Sequence, residues 1–327
     1  MTLDAQLLAL LREASTSGHS SADLAHELGV TRPTVLAHIR QLRALGYEIE
    51  SSPHTGYRLQ RTPDLLHSDD LQSRLGKVRV IGREIRVFRE TTSTNDILEK
   101  LAGAGVREGS VVFAESQTAG RGRLGRKWHS PPYRGLWFSV LLRPTLRPQE
   151  TTRLTILAAT ALARAIWLET GLAPRIKWPN DILLNGRKVA GLLTELSAEI
   201  DRVKYVVVGI GLDVNIGASA FPSDLRKIAT SIQIELGAKV DRAALASAIL
   251  RELDADYQRL RAGQFELIAD EWEKLCTTLG HQVTIRIGPR RVEGVAESLD
   301  ADGALLVRTE HGRIERIVGG DVTVESR

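Results

Sequence analysis

The densest run of chemically capable residues lies between 116 and 149, SQTAGRGRLGRKWHSPPYRGLWFSVLLRPTLRPQ, which carries seven Lys/Arg and no acid. Its centre, GRGRLGRK, sets three glycines among Arg121, Arg123, Arg126 and Lys127. Ordering such a loop alone is costly, because glycine loses much backbone freedom and the cations repel one another. A polyanionic ligand offsets both costs; a basic loop left in solvent is the plainer alternative. GRGRLG (120–125) formally matches GxGxxG. A dinucleotide fingerprint, however, stands between a strand and a helix, so that pyrophosphate meets the helix N-terminus. Here RKWHSPPY runs into Pro131 and Pro132, and no acid follows at about 20 residues. The dinucleotide reading is rejected. Trp128 is unusual for a solvated loop, and either caps an aromatic ligand or anchors the loop.

A second constellation is RIKWPNDILLNGRKVAGLLTEL (175–196). Lys177 and Trp178 end a strand, Pro179, Asn180 and Asp181 turn, and Asn185-Gly186 closes a hairpin. Lys188 then falls inside a strand, where it needs an anionic partner if it points inward or snorkels outward if it guards an edge. Asp181 taken alone is an ordinary turn acid. In TTSTNDIL (91–98), Ser93, Thr94 and Asn95 open a helix, as N-caps or as polar groups facing a small ligand. VVVGIGLDVN (206–215) is a buried strand whose glycines permit close approach, with Asn215 at its exit. There is no GxSxG, HExxH or P-loop. The eight histidines have no ligand spacing, so no metal held by the protein is expected.

The elements that position these residues fall into regions. With 327 residues, 43% hydrophobic and 26% charged, the chain suits two or three domains of about 100–200 residues each. A net charge of +4 is too slight to imply nucleic-acid binding by the chain as a whole. The single Cys276 excludes an internal disulfide framework and fits a reducing compartment. Asp4 and Glu13 interrupt the N-terminal apolar stretch, so it is no signal peptide. No apolar run approaches the roughly 20 residues of a membrane span. A cytoplasmic protein is expected.

Residues 1–62 read as helix, helix (21–28), Gly turn, helix from Thr31 to about Leu45, then two short strands around PHTG: the order of a winged helix-turn-helix DNA-binding domain. Six basic and six acidic residues make this region neutral. Between Val30 and Tyr47, however, stand Arg32, His38, Arg40 and Arg43 with no acid, alongside Thr31 and Thr34. That local bias is what phosphate contacts require; a small helical module with a solvated basic face is the alternative. Residues 63–80 read as a linker with one short helix. Residues 81–277 alternate strands with helices at NDILEKLAG, about 150–170 and about 241–262, giving a mixed α/β domain. Residues 278–327 hold closely spaced short strands, suiting a small SH3-like barrel.

Taken in order, STN (93–95), QxAGRGRxGRxW (117–128), KWPND (177–181), RKVAG (187–191) and GIGxxVN (209–215) resemble the bifunctional biotin protein ligases that also repress the biotin operon. With the winged helix and the C-terminal barrel, the resemblance spans nearly the whole chain. It implies a class II synthetase-like central domain and two steps. Biotin carboxylate attacks the α-phosphate of ATP, with Mg2+ shielding the triphosphate, and a lysine of biotin carboxyl carrier protein then displaces AMP. Carried over by position, Ser93, Thr94, Asn95 and the backbone near Arg121 and Gly122 are implied in biotin binding. Gln117, Arg123 and Lys188 surround carboxylate and α-phosphate, and Arg121 meets pyrophosphate. Trp128 and Asn215 meet adenine, with Lys177 and Asn180 on the nucleotide. Asp181 orients or deprotonates the acceptor lysine, completing a catalytic set with Lys188 and Arg123. In 216–232 only Phe221 offers adenine a further aromatic. The resemblance also implies a ligand-favoured homodimer on operator DNA of biotin-biosynthesis genes. Three other readings stay open: a regulator without catalysis, a ligase whose winged helix no longer binds DNA, and a lipoate ligase on the same fold.

Overall fold

The computed structural model describes residues 1–13 and 18–324, and the chain divides into two compact units, one ending at Lys77 and the other starting at Val78. In the first, α1 (Leu3–Glu13) buries Leu7, Leu8 and Leu11. α2 (Ser21–Leu28) is capped by Ser20, whose hydroxyl accepts from the Asp23 amide, and is stopped by the left-handed Gly29. α3 (Arg32–Ala44) is capped by Thr31 and has its proline in the first turn, where a missing N–H costs nothing. β1 (Glu48–Ser52) and β2 (Gly56–Arg61) pair antiparallel as the wing. Leu24, Val35, Ile39, Leu42, Tyr47 and Ile49 close the core with the α1 leucines; each large apolar side chain contributes about 1.5–3 kcal/mol on burial. Gly56 is required here, since a Cβ would lie 2.1 Å from the His19 carbonyl oxygen.

Residues 63–80 correct the expectation of a linker. α4 (Ser68–Leu75) belongs to the first unit, where its buried Asp70 pairs with Arg12 of α1 and, at 3.0 Å, with Arg74. A helix bearing a buried carboxylate paired to another helix is part of a fold rather than a tether. The second unit begins where the Asp254 carboxylate accepts from three successive backbone amides, Arg79, Val80 and Ile81, at 2.7–2.8 Å.

The second unit is built on β3 (Glu84–Phe88), α5 (Thr94–Gly103), β4 (Ser110–Ala114), β5 (Gly135–Leu142), α6 (Thr152–Thr170), β6 (Arg175–Lys177), β7 (Asp181–Leu184), β8 (Arg187–Ala198) and β9 (Val203–Asp213), followed by α7 (Ile232–Leu236), α8 (Arg242–Arg261) and α9 (Phe265–Leu275). The seven strands form one sheet in the order β3-β4-β5-β9-β8-β7-β6. Only β3 and β4 are parallel, joined through α5. Asn185 and Gly186, both at positive φ (47° and 78°), make the two-residue turn between β7 and β8, as an Asn-Gly pair favours. Alternate residues of a strand face opposite sides. Val112, Leu141 and Val207 meet Leu98 and Ala102 of α5, while Val140, Leu142 and Val208 meet Leu154, Leu157 and Leu253 of α6 and α8. Arg164 of α6 ties α8 and α9 together through Glu252, Asp256 and Glu271.

The chain ends in β10 (Gln282–Ile287), β11 (Arg290–Leu299), β12 (Leu305–Arg308), β13 (Ile314–Ile317) and β14 (Asp321–Val324). They form an antiparallel five-stranded sheet ordered β13-β12-β11-β10-β14, the last strand returning beside the first. Among the described residues no helix is long and apolar enough to cross a membrane.

Candidate functional site

A cavity of about 630 Å³ opens on the face of the large sheet that carries α5, a size typical of small-molecule sites. Its floor follows the period of two: Gly209, Gly211 and Asp213 on β9, Gly191 and Leu193 on β8. The glycines are there for close approach. A Cβ at Gly209 would lie 2.3 Å from Asn95 Oδ1, one at Gly211 2.5 Å from the Trp128 indole, and one at Gly191 2.9 Å from Trp128 and 3.1 Å from Lys188 Cε.

The start of α5 forms one wall. Ser93 stands at the capping position, but its side chain makes no capping bond. Gln117 takes that task from the neighbouring loop: its Oε1 accepts from the Thr94 amide at 2.9 Å, and its Nε2 donates to Ser130 Oγ at 3.0 Å. The Ser93 hydroxyl is thereby left toward the cavity that the residue lines, against the simple capping reading of STN. Thr94 Oγ1 lies 2.7 Å from Ser139 Oγ, which donates to Asn95 Oδ1 at 2.5 Å. Asn95 Nδ2 donates to Glu195 at 2.6 Å. These bonds fix the wall before any ligand arrives.

The glycine-rich loop folds over the cavity rather than into a helix. The Trp128 amide donates to the Gly120 carbonyl at 2.8 Å and the Gly122 amide to the Arg126 carbonyl at 2.7 Å, with Leu124 at positive φ. Its cations rest on carboxylates from separate elements. Arg121 binds Asp96 of α5 and Glu195 of β8 (2.9 Å), and the Asp96 hydrogen bond chiefly holds its pKa up. Arg126 binds Asp321 of β14 at 2.7 Å. Arg123 turns inward and donates to Asn180 Oδ1 (3.3 Å) and the Gly320 carbonyl (3.4 Å); burial pushes its pKa down, offset by Asp321 and Asp181. Trp128 is the anchor: its ring covers Gly191 and Gly211 and meets Trp137 edge-on, centroids 6.4 Å apart. Phe221 is buried against the same aromatic cluster and lines the cavity.

Lys188 points inward. Its Nζ lies 2.6 Å from Asp181 Oδ1 and 5.3 Å from the centre of the Trp128 ring. Asp181 is thus the partner that an inward lysine required, rather than a turn acid alone. Lys177 and Asn180 also line the cavity. Asn215 does not. Its amide is spent on the Val240 backbone, Nδ2 to the carbonyl at 2.9 Å and Oδ1 from the amide at 3.0 Å. It holds the loop before α8 and stands outside the cavity lining, so this geometry gives the adenine role carried over to it no support. Two residues earlier stands a group that sequence reading missed: Asp213, buried and lining the cavity, whose pKa is pushed well up by burial and eased only by Lys188. An acid ending an otherwise apolar strand was the available signal.

On α3 of the first unit, Arg32 and Arg40 are exposed. His38 instead bonds Asp4 (Nδ1 to Oδ1, 2.6 Å), and Arg43 donates twice to the Ile49 carbonyl at the wing. Thr31 and Thr34 are joined in the N-cap. Of the six residues assigned to DNA, Arg32 and Arg40 are exposed and make no hydrogen bond or ion pair among the described residues, while His38 and Arg43 serve the fold.

Comparison with known proteins decides the family. Residues 87–213 match the Biotin/lipoate A/B protein ligase family, 4–58 an HTH domain and 278–324 the Biotin protein ligase C terminal domain. The chain is 38% identical over 321 residues to the Bifunctional ligase/repressor BirA of Bacillus subtilis, covering 98% of each. The chain belongs to the biotin protein ligase family. A Biotin--[acetyl-CoA-carboxylase] ligase of Mycobacterium tuberculosis is 34% identical over 247 residues, covering 73% of this chain and 88% of that relative. The biotin protein ligase of Aquifex aeolicus, solved with biotin and ATP, superimposes with a TM-score of 0.64 at 29% identity, over 75% of this chain and all of that one. Like the bifunctional members, this ligase carries its helix-turn-helix in the same chain.

Proposed function

We propose that the chain joins biotin to ATP as biotinyl-5′-AMP, passes the biotinyl group to a lysine of a biotin carboxyl carrier protein, and represses biotin-biosynthesis genes through its first unit. The observation that carries the reading is the cavity in which Gln117, Arg123 and Lys188 converge under the loop, between the polar wall of Ser93–Asn95 and the aromatic anchor Trp128. Biotin offers a ureido ring, an apolar body and a carboxylate; Ser93 and Thr94 suit the first, the glycine floor the second and the cations the third.

In the first step a biotin carboxylate oxygen bonds to the α-phosphorus and the bond to pyrophosphate breaks. Negative charge gathers on phosphate oxygens, where preorganised cations act most strongly. Lys188, already aimed by Asp181, and the buried Arg123 supply it. Arg121 and Arg126 exchange their carboxylates for pyrophosphate oxygens. Magnesium neutralises the triphosphate charge when bound. In the second step a deprotonated lysine amine attacks the mixed anhydride and AMP leaves; Asp181, once Lys188 has turned to phosphate, is placed to hold that amine. No enzyme nucleophile enters either step, in keeping with the absence of nucleophile motifs. A ligand that orders the loop also favours a homodimer, whose two winged helices match two operator half-sites.

The test is Lys188→Ala, assayed by biotin-dependent pyrophosphate exchange beside wild type and a melting curve. A loss of about 10²-fold or more with an intact fold is expected, the scale for removing one preorganised charge donor. Wild-type turnover overturns the assignment.

A further inference from the structure

The polar wall of the cavity has a direction, and the sheet register sets it. Ser139 of β5 pairs with Gly209 of β9, and Gly209 with Leu193 of β8, so the three make one row across the sheet. The Asn95 amide lies along that row. Its Nδ2 faces the Leu193 carbonyl at 3.4 Å and the Glu195 carboxylate at 2.6 Å, and its Oδ1 faces the Ser139 hydroxyl at 2.5 Å. Gly209 makes the room, since a Cβ there would lie 2.3 Å from Oδ1. Ser139 and Asn95 are both buried, where a hydrogen bond left unmade is costly.

A carboxylate and a backbone carbonyl only accept, so the edge of the Asn95 amide that faces them is its NH2. The oxygen is then on the Ser139 side, and Ser139 spends its single proton there. Thr94 Oγ1 stands 2.7 Å from that same Ser139 Oγ and 3.3 Å from Gln117 Oε1. The Gln117 atom already accepts from the Thr94 amide, which fixes it as oxygen. Both of these neighbours of the Thr94 hydroxyl are acceptors, so its proton stays inside the wall. Toward the cavity that Thr94 lines, it offers only lone pairs.

We propose that Glu195 and Asn95 are positioning residues that set the polarity of this wall. Acting through Ser139, they hold Thr94 as a hydrogen-bond acceptor, so the cavity selects a ligand that carries an N–H at that point. Asn95 thus serves biotin through Thr94 rather than by its own amide. For the identity of the ligand this rests on the ligase reading: the ureido ring of biotin has N–H groups and the dithiolane of lipoate has none. A ligand oxygen in the same place meets lone pair against lone pair. Glu195 also holds Arg121 of the loop at 2.9 Å, so the two tasks of this carboxylate have to be separated.

The test is calorimetric titration of the full chain with biotin and with each of its two cyclic carbamate analogues, in which oxygen replaces one ureido N–H. Wild type should bind biotin about tenfold or more tightly than one of the two analogues, the scale of a net hydrogen bond. In Asn95→Leu, close to asparagine in size, and in Glu195→Ala, Ser139 is free to turn its proton on Thr94. The ratio should then fall to about threefold or less, the low end of the same scale. Glu195→Gln should restore it, because its amide oxygen still accepts from Asn95 although the charge that held Arg121 is gone. Melting curves report the fold, and the two Glu195 variants decide if Asn95→Leu does not fold. Loss of packing alone weakens biotin and analogues alike. An unchanged ratio in the Leu and Ala variants, or a wild type that binds biotin and both carbamates equally, therefore overturns the proposal and leaves the ligase reading as it was. Mg-ATP is then added to the same samples. A wild type that discriminates as expected but forms no biotinyl adenylate overturns the ligase reading and leaves the polarity of the wall standing.

Discussion

Asp213 and Lys188 show how one side chain sets the terms for another. Burial raises the Asp213 pKa in the folded chain, so above the unfolded value of about 3.9 the native state holds the proton more firmly than the unfolded one. Stability contributed by that proton is complete at low pH and is lost as pH climbs through the folded value. Asp213→Asn should therefore melt higher than wild type near neutrality, with the gap between the two widening as pH rises from 5; a gap constant with pH contradicts the buried ionisable reading. At this scale the sequence was readable where chemistry is local. Lys188 inside a strand demanded an acid, and the structure supplies Asp181. The Asn215 bonds were not readable because their partner, Val240, lies 25 positions away, a pairing no local pattern encodes. Ser93 was ambiguous for a related reason: the Thr94 amide is capped by Gln117, 23 residues beyond Thr94.

Elements carry the next level. The glycine-rich loop stays down because Trp128 reaches the sheet through Gly191 and Gly211. Gly211→Ala would place a Cβ 2.5 Å from the indole, in a rigid strand where neither side can yield cheaply. The expected result is a lifted loop: faster proteolytic cleavage within 121–127 and adenylate formation reduced by about 10²-fold, the cost typical of small misplacement, with little change in melting. Unchanged cleavage contradicts the anchoring role. Opposite the site, Arg164 is the shared partner of Glu252, Asp256 and Glu271, and Asp256 is wholly buried. Arg164→Met should cost about 3 kcal/mol, the lower end for breaking a buried pair, since Arg259 still reaches Asp256 at 2.9 Å. Denaturant unfolding measures it. The Asn185-Gly186 hairpin and the N-caps of α2 and α3 were legible because turn chemistry is local. α9 was passed over although Phe265, Ile268 and Trp272 recur at helical spacing among its acids, the pattern of a half-buried helix.

The whole molecule joins two differently charged tasks. Residues 1–62 are neutral overall, so affinity for DNA must come from a few cations, and Arg32 and Arg40 stand exposed on α3 for it. Arg40→Ala should weaken operator binding across sequences and lower the salt slope by about one, whereas Arg43→Ala should chiefly loosen the wing, its guanidinium being bound to the Ile49 carbonyl. Fluorescence anisotropy over a salt series separates the two. The local basic bias was visible in the sequence; which cations the fold consumes was not, because Asp4 and Ile49 meet α3 only through tertiary packing. The supposed linker failed likewise, through the Arg12–Asp70 pair. The central claim remains the chemistry of the second unit. Its most direct test is native mass spectrometry of the purified chain after incubation with Mg-ATP and either biotin or lipoate. The expected result is retained biotinyl-5′-AMP, with dimer appearing alongside it and no adenylate from lipoate. Free biotin held without adenylate would contradict the account and leave a ligand-binding regulator, and a lipoyl adenylate would move the chain to the other branch of its fold.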